Sequence, residues 1–399
     1  MLEYAGSQRS GLRAEREGIG LLHVVRSLDW LLLAGVAALV GIGLWGIAGV
    51  TKFDVPGNPS YYLDKQILYA GAGTAVLIVA TLIDPDLYRR YWRLVFGGTV
   101  ALIAVVFVVG RAARGSTRWI NVGFFTFQPS EFGKLLFVLA LAGFLAERVA
   151  SGRHTIGTTL RTLGLGTVPA LLVFAQPDLG TALVYLAALA AMLFVSGVPW
   201  RHLAALGSIT AIVLVFVLWV GPAVGVSFLK SYQTQRLTCF TQPTTCPANA
   251  RYNAEQSIAA VGSGELRGRG PNGATQTRLD FLPEHHTDFV FASFAEQRGF
   301  VGASLLLALY LLVLWRGLRV VTVARDLYSA VVAGGIVVAF LFQIFVNVGM
   351  TMGIAPITGI PLPFVSVGGS SMIANFAAMG VLLAVYARGR ASRSSRRRS

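Results

Sequence analysis

The chain has 399 residues, of which 55% are hydrophobic and only 13% charged, and its formal net charge is +15. Soluble domains carry about 25% charged residues, so a soluble enzyme, a disordered scaffold and a small disulfide-stapled module are excluded. The composition is that of an all-α polytopic membrane protein, and the 45 glycines agree, because membrane helices tolerate glycine better than soluble ones do.

The excess of 33 Lys+Arg over 18 Asp+Glu would suggest nucleic acid in a soluble protein. In a membrane protein it marks cytoplasmic loops, and no nucleic-acid partner is expected. Residues 1–27 form an N-terminal tail that precedes the first long apolar run. That run is too long for a signal-peptide core and reads as a retained helix. A bilayer core needs about 20 helical residues per crossing. Runs near 28–50, 66–83, 93–110, 131–150, 160–176, 179–197, 202–223, 288–315, 327–350 and 365–387 predict ten spans, the fifth and sixth divided at Pro177. With the N-terminus inside, the inner segments collect 20 of the 33 basic residues, and 351–364 carries no charge. Both termini are therefore expected to be cytoplasmic, with a basic cytoplasmic tail over 388–399 suited to anionic lipid.

Ionisable groups at membrane depth point to function, and four stretches carry the polar residues. In the first, 118–134, Arg118 and Trp119 sit at the outer boundary. Pro129-Ser130-Glu131 reads as a helix start, and Lys134 falls on the same face as Glu131. These residues either close a helix end as an ion pair or form a cationic site for a phosphate-bearing headgroup. The second is Gln176-Pro177-Asp178, where Asp178 is the expected N-terminal cap of the next helix.

Residues 224–287 form the one long loop, predicted to be extracytoplasmic and partly ordered. It holds both cysteines, Cys239 and Cys246, which are a candidate disulfide on that side of the membrane. Where the loop re-enters the membrane lies the third stretch, with Glu284, His285, His286 and Asp288. A helical turn opened by Pro283 would put Glu284 and Asp288 on one face. Zinc is disfavoured because the HEXXH spacing is absent and adjacent histidines point apart. A hard divalent cation, Mg or Mn, on Asp288 or Glu284 fits better. Glu296 and Arg298, inside the following apolar run, are expected to neutralise one another. The fourth stretch, 347–371, holds three prolines and several glycines and cannot be one regular helix. Irregular backbone at membrane depth survives only when buried or lining a wet cavity. The hydroxyls of Ser370 and Ser371 are candidate substrate contacts there.

The blocks QPSEFGK, FLPEHHTDFVFA and TGIPLPFVSVGGSS, in this order, resemble the SEDS family of cell-wall polymerases, which includes RodA and FtsW. SLDWLLL and GMTMGIAPITGIPLPF resemble the RodA branch more closely. The resemblance spans about residues 28–387 and implies ten helices in the bacterial cytoplasmic membrane. It also implies polymerisation of lipid II into glycan strands at the outer face, with a class B penicillin-binding protein as partner and an elongation role. Residue by residue, it implies that Asp288 is the essential acid. Glu284, Arg236, Arg118 and Lys134 then contact substrate, with Glu131 beside Lys134. The chain departs from the family pattern at Gln297-Arg298, at Glu265 after Ser263-Gly264, and at Val367 before the GGSS turn. A different class, a lipid II flippase or another carrier of lipid-linked sugars, shares the broken helices and intramembrane charges. Against it, the polar residues cluster at one face and no inverted repeat is visible.

Overall fold

The computed structural model describes residues 27–113, 116–121, 123, 126–150, 155–216, 240 and 248–396. Arg236, Cys239 and Cys246 lie outside them. The long helices are α1 (Trp30–Val50), α2 (Tyr61–Leu82), the short α3 (Pro85–Arg90), and α4 (Trp92–Ala104), continued by α5 (Val106–Val109). A small antiparallel sheet follows, β1 (Arg111–Ala113), β2 (Ser116–Asn121) and β3 (Thr126–Phe127), in that order. Then come α6 (Pro129–Ala150), α7 (Ile156–Ala175), α8 (Leu179–Val195) and α9 (Trp200–Val215). The second half holds α10 (Ala248–Ser263), single turns α11 (Gly270–Gly273) and α12 (Thr275–Arg278), and then α13 (Val290–Val323), α14 (Leu327–Thr351) and α15 (Gly369–Arg396).

Among the described residues, seven helices are long and apolar enough to cross a membrane: α1, α2, α4 with α5, α7, α13, α14 and α15. Helix α8 is equally apolar but shorter, at 17 residues, and α6 is long but carries Glu131, Lys134, Glu147 and Arg148. The chain is a multi-pass helical membrane protein. Of these seven, α14 and α15 are the most enclosed. Helix α15 runs along α2, α13 lies between α1 and α14, and α14 also packs on α8. The α2–α15 contact depends on glycine: a β-carbon at Gly73 would stand 2.3 Å from the Phe376 ring, and one at Gly380 2.5 Å from the Leu77 carbonyl. Small residues let membrane helices approach at backbone distance.

Side-chain caps fix where several helices start. Asp29 accepts from Leu32 N at 3.0 Å, and Asp178 accepts from Thr181 N at 3.1 Å as its position after Pro177 predicts. Asp326 accepts from Ser329 N at 2.8 Å. Asp29 also holds the buried Arg316 in a two-nitrogen fork, with contacts of 2.6 to 3.1 Å. At the same end Arg388 meets Asp84 at 3.4 Å, Arg89 meets Asp326 at 3.8 Å, and Arg325 pairs with Asp86. One end of the bundle is thus laced by arginine, and the other carries the loops of the candidate site.

Within residues 224–287, read from the sequence as a partly ordered loop, 248–263 are the helix α10, which lies against α13 and donates from Ser257 Oγ to Thr351 O at 3.0 Å. Two expectations need correction. Glu296 does not neutralise Arg298. Its fully buried carboxylate accepts from Gln276 N (2.9 Å), Thr277 N (3.0 Å) and Thr277 Oγ1 (2.7 Å), while Arg298 stacks 3.4 Å from the Trp45 ring centroid. Loop amides and a hydroxyl stabilise this carboxylate, a partner set that charge patterning along one helix does not reveal. Glu296→Gln removes a charged acceptor and sets an amide N–H against those donors. It should cost about 2–3 kcal/mol, read as a lower unfolding temperature in detergent. Finally, Pro283 does not open a helical turn: Glu284 has φ +57 and α13 begins only at Val290.

Candidate active site at the re-entrant acidic loop

Because residues 283–289 are a non-helical turn, Glu284 and Asp288 are not placed by helix periodicity. The turn is held by its own groups: Thr287 N and Phe289 N both donate to Glu284 O, at 3.1 and 3.2 Å, and Thr287 Oγ1 donates to Glu284 Oε2 at 2.8 Å. The irregular segment between α14 and α15 cradles it from outside. Val367 N donates to His286 O at 3.0 Å and Ser366 Oγ to Thr287 O at 2.6 Å. Gln66 on α2 donates to Ser366 O at 3.0 Å. The buried Asn347 clamps both pieces, donating from Nδ2 to Asp288 O at 2.8 Å and to Ile360 O at 2.7 Å. The Asp288 backbone is therefore fixed by the protein interior, and the residue is half-buried.

One turn below Asn347 on α14, a rise of about 6 Å, Gln343 lines a groove with Glu131, Lys134, Phe340 and Asn375. The groove is narrow, with a cavity volume of about 30 Å³, and its remaining walls are aliphatic. The Lys134 ammonium donates to both Glu131 oxygens at 2.9 Å, and both side chains are buried. Glu131 and Lys134 are thus the i,i+3 pair that their spacing predicts. Above it, Ser370 Oγ donates to Thr126 O at 2.8 Å and accepts from Gln128 N at 2.9 Å, tying α15 to β3 and the start of α6. Ser371 accepts from Asn375 Nδ2 at 3.3 Å. Gln128 Nε2 donates to Ser130 Oγ at 3.1 Å and to Asp178 Oδ2 at 3.2 Å. Arg118, on β2, stands 3.5 Å from the same Asp178 oxygen. Hydrogen bonds and an ion pair thus join Arg118, Asp178, Gln128 and Ser370, the Glu131–Lys134 pair lines the groove, and the Asp288 backbone is tied to α14 through Asn347.

Two neighbours of Asp288 behave differently from expectation. His285 and His286 do not point apart; both face Asp54, in the loop between α1 and α2. His285 Nε2 lies 3.0 and 3.1 Å from the Asp54 oxygens, and His286 Nδ1 lies 3.5 Å from Oδ2. Burial alone would lower the His285 pKa, but the Asp54 carboxylate outweighs it and holds the imidazole above its ordinary value. Asp54, Gln66, Gln128 and Asn347 escaped the sequence reading. Only Asn347 gave a signal, as an amide inside an apolar run.

The family model for cell cycle proteins of the FtsW/RodA/SpoVE type matches residues 26–391. The peptidoglycan glycosyltransferase MrdB of Escherichia coli (strain K12) is 34% identical over 352 residues, covering 87% of this chain and 92% of that protein. The peptidoglycan glycosyltransferase RodA of Treponema pallidum (strain Nichols) is 32% identical over 431 residues, with coverages of 91% and 98%. Among solved structures, a chain from a work on a peptidoglycan synthase complex that coordinates polymerization and crosslinking superposes with TM-score 0.75 at 31% identity, covering 91% of this chain and 98% of that one. The rod shape determining protein RodA of Thermus thermophilus superposes with TM-score 0.67 at 28% identity, with coverages of 90% and 96%. The chain belongs to the FtsW/RodA/SpoVE family.

Proposed function

We propose that this protein is a peptidoglycan glycosyltransferase that polymerises lipid II at the outer face of the bacterial cytoplasmic membrane. In this reading both termini are cytoplasmic, the role is in elongation, and a class B penicillin-binding protein crosslinks the product. The observation that carries the proposal is the turn of Asp288, clamped by Asn347 to α14, whose next turn lines an aliphatic groove together with Lys134. A carboxylate, a cation and an apolar wall are the groups that a prenyl pyrophosphate substrate calls for.

Lipid II carries its sugar in an α bond, and the polymer linkage is β-1,4, so one inversion requires a single displacement. Glycoside hydrolases need a second carboxylic acid to protonate an alcohol leaving group. Pyrophosphate leaves without that help. Asp288 takes the proton of the acceptor hydroxyl as it attacks the anomeric carbon, and the bond to pyrophosphate breaks. Arg118 and the remaining N–H of Lys134 hold the charge that develops on the leaving oxygens. Glu284 and Asp288 are hard oxygen donors suited to Mg²⁺ or Mn²⁺, which would supply further charge neutralisation at the pyrophosphate. Ser370, Ser371 and the loop residue Arg236 are the further substrate contacts of this reading.

Arg118→Ala should fold normally, since Asp178 keeps its bonds from Thr181 N and Gln128. Its kcat/KM for lipid II should fall roughly 10- to 100-fold; unchanged kinetics would remove Arg118 from the site. The function itself is tested with purified protein, its partner synthase and lipid II in detergent. Glycan strands must form with no second compartment present. A preparation that moves lipid II across vesicles but makes no polymer would favour a flippase instead.

A further inference from the structure

Asp54, His285 and His286 present one carboxylate and two imidazoles whose ligand atoms all lie within 4.8 Å of one another. They come from two loops, Asp54 and His285 being separated by 231 positions in sequence. The hydrogen bonding of His285 sets its tautomer: Nδ1 is 3.1 Å from Leu282 O and 3.4 Å from Asp280 Oδ1, so the proton belongs on Nδ1. Nε2 stands 3.0 and 3.1 Å from the Asp54 oxygens, a separation that either an imidazolium proton or a bound cation bridges. An imidazole whose far nitrogen donates to a backbone carbonyl is the usual arrangement of a metal-ligating histidine. His286 brings a second nitrogen to 3.5 Å from the same carboxylate. Ligands at 2.0–2.1 Å around a tetrahedral ion stand roughly 3.3 Å apart, close to that separation. His285 is buried, while Asp54 and His286 are half-buried.

We propose that Asp54, His285 and His286 form a binding site for a zinc-class divalent cation, with the fourth position open to water. Two imidazoles and one carboxylate select zinc over Mg²⁺ or Mn²⁺, which prefer all-oxygen sites. This site is separate from any ion at Asp288 and does not depend on the polymerase reading. Its consequence is mechanical: the ion clamps the α1–α2 loop to the turn that carries Glu284 and Asp288.

The test uses the full-length protein in detergent, stripped with a chelator and titrated with Zn²⁺, and with Co²⁺ for its visible spectrum. The expected result is one tightly held Zn²⁺ per chain, a tetrahedral Co²⁺ band, and a higher unfolding temperature on Zn²⁺ addition. Asp54→Asn and His285→Gln keep neutral hydrogen-bonding side chains and should fold, yet lose Zn²⁺ affinity at least roughly 10-fold and lose the Co²⁺ band. Asp288→Asn should bind Zn²⁺ like the parent. The proposal is overturned if the parent takes up no Zn²⁺, or if Asp54→Asn binds as tightly as the parent. It is equally overturned if Asp288→Asn abolishes binding, because the ion would then sit at the acidic turn.

Discussion

Asp288→Asn should abolish polymerisation of lipid II, by a factor of roughly 10² to 10⁴ in kcat, while leaving the protein folded and able to bind the lipid. The direction follows from the chemistry. An amide occupies the same space and keeps a polar contact, but it cannot accept a proton from the attacking hydroxyl. The fold should survive because the backbone at this position is held by Asn347 Nδ2 at 2.8 Å, a bond to the carbonyl that the substitution leaves in place. The check is a polymerisation assay beside a measurement of lipid II binding. Loss of both together would indicate a collapsed turn, and retention of both would remove Asp288 as the base.

Lys134→Met should be the most destabilising single change at the site. It strands the Glu131 carboxylate, 1% exposed, without its cation, and an uncompensated buried charge costs about 3–5 kcal/mol. Adding Glu131→Gln to it should restore most of that stability, since a buried ion pair is often replaceable by neutral groups of similar volume. Activity should not return with stability. Lys134 has three N–H donors, Glu131 accepts two of them, and the third is the one that the leaving group requires. Unfolding temperatures and polymerisation rates of the parent, the single variant and the double variant separate these roles. A double variant that is stable and polymerises normally would reduce the pair to a structural fastener.

Much of this architecture was legible in the sequence wherever the cause was local. Pro129 starts α6, Glu131 and Lys134 pair across three residues, Asp178 caps α8, and the prolines after Thr351 keep 352–368 out of any helix. These outcomes follow from backbone chemistry and from neighbours within one turn. The misses share the opposite character. Asp54 meets His285 from another loop, and nothing near either residue encodes the encounter. Glu296 is satisfied by amides of residues 276 and 277, which offer no charge to pair with in a sequence. The Pro283 turn fails as a helix because Glu284 adopts a left-handed φ of +57. The segment between α14 and α15 likewise folds back over residues 286–288, a contact between distant parts of the chain that no local pattern encodes.

The most direct measurement is a structure of the protein with its partner synthase and a non-hydrolysable lipid II analogue bound. The account predicts the prenyl chain along the Gln343–Asn375 groove, the pyrophosphate against Arg118 and Lys134, and the acceptor hydroxyl within hydrogen-bond reach of the Asp288 carboxylate. A sugar bound at the arginine-laced end of the bundle, or an Asp288 side chain out of reach of any sugar hydroxyl, would contradict it.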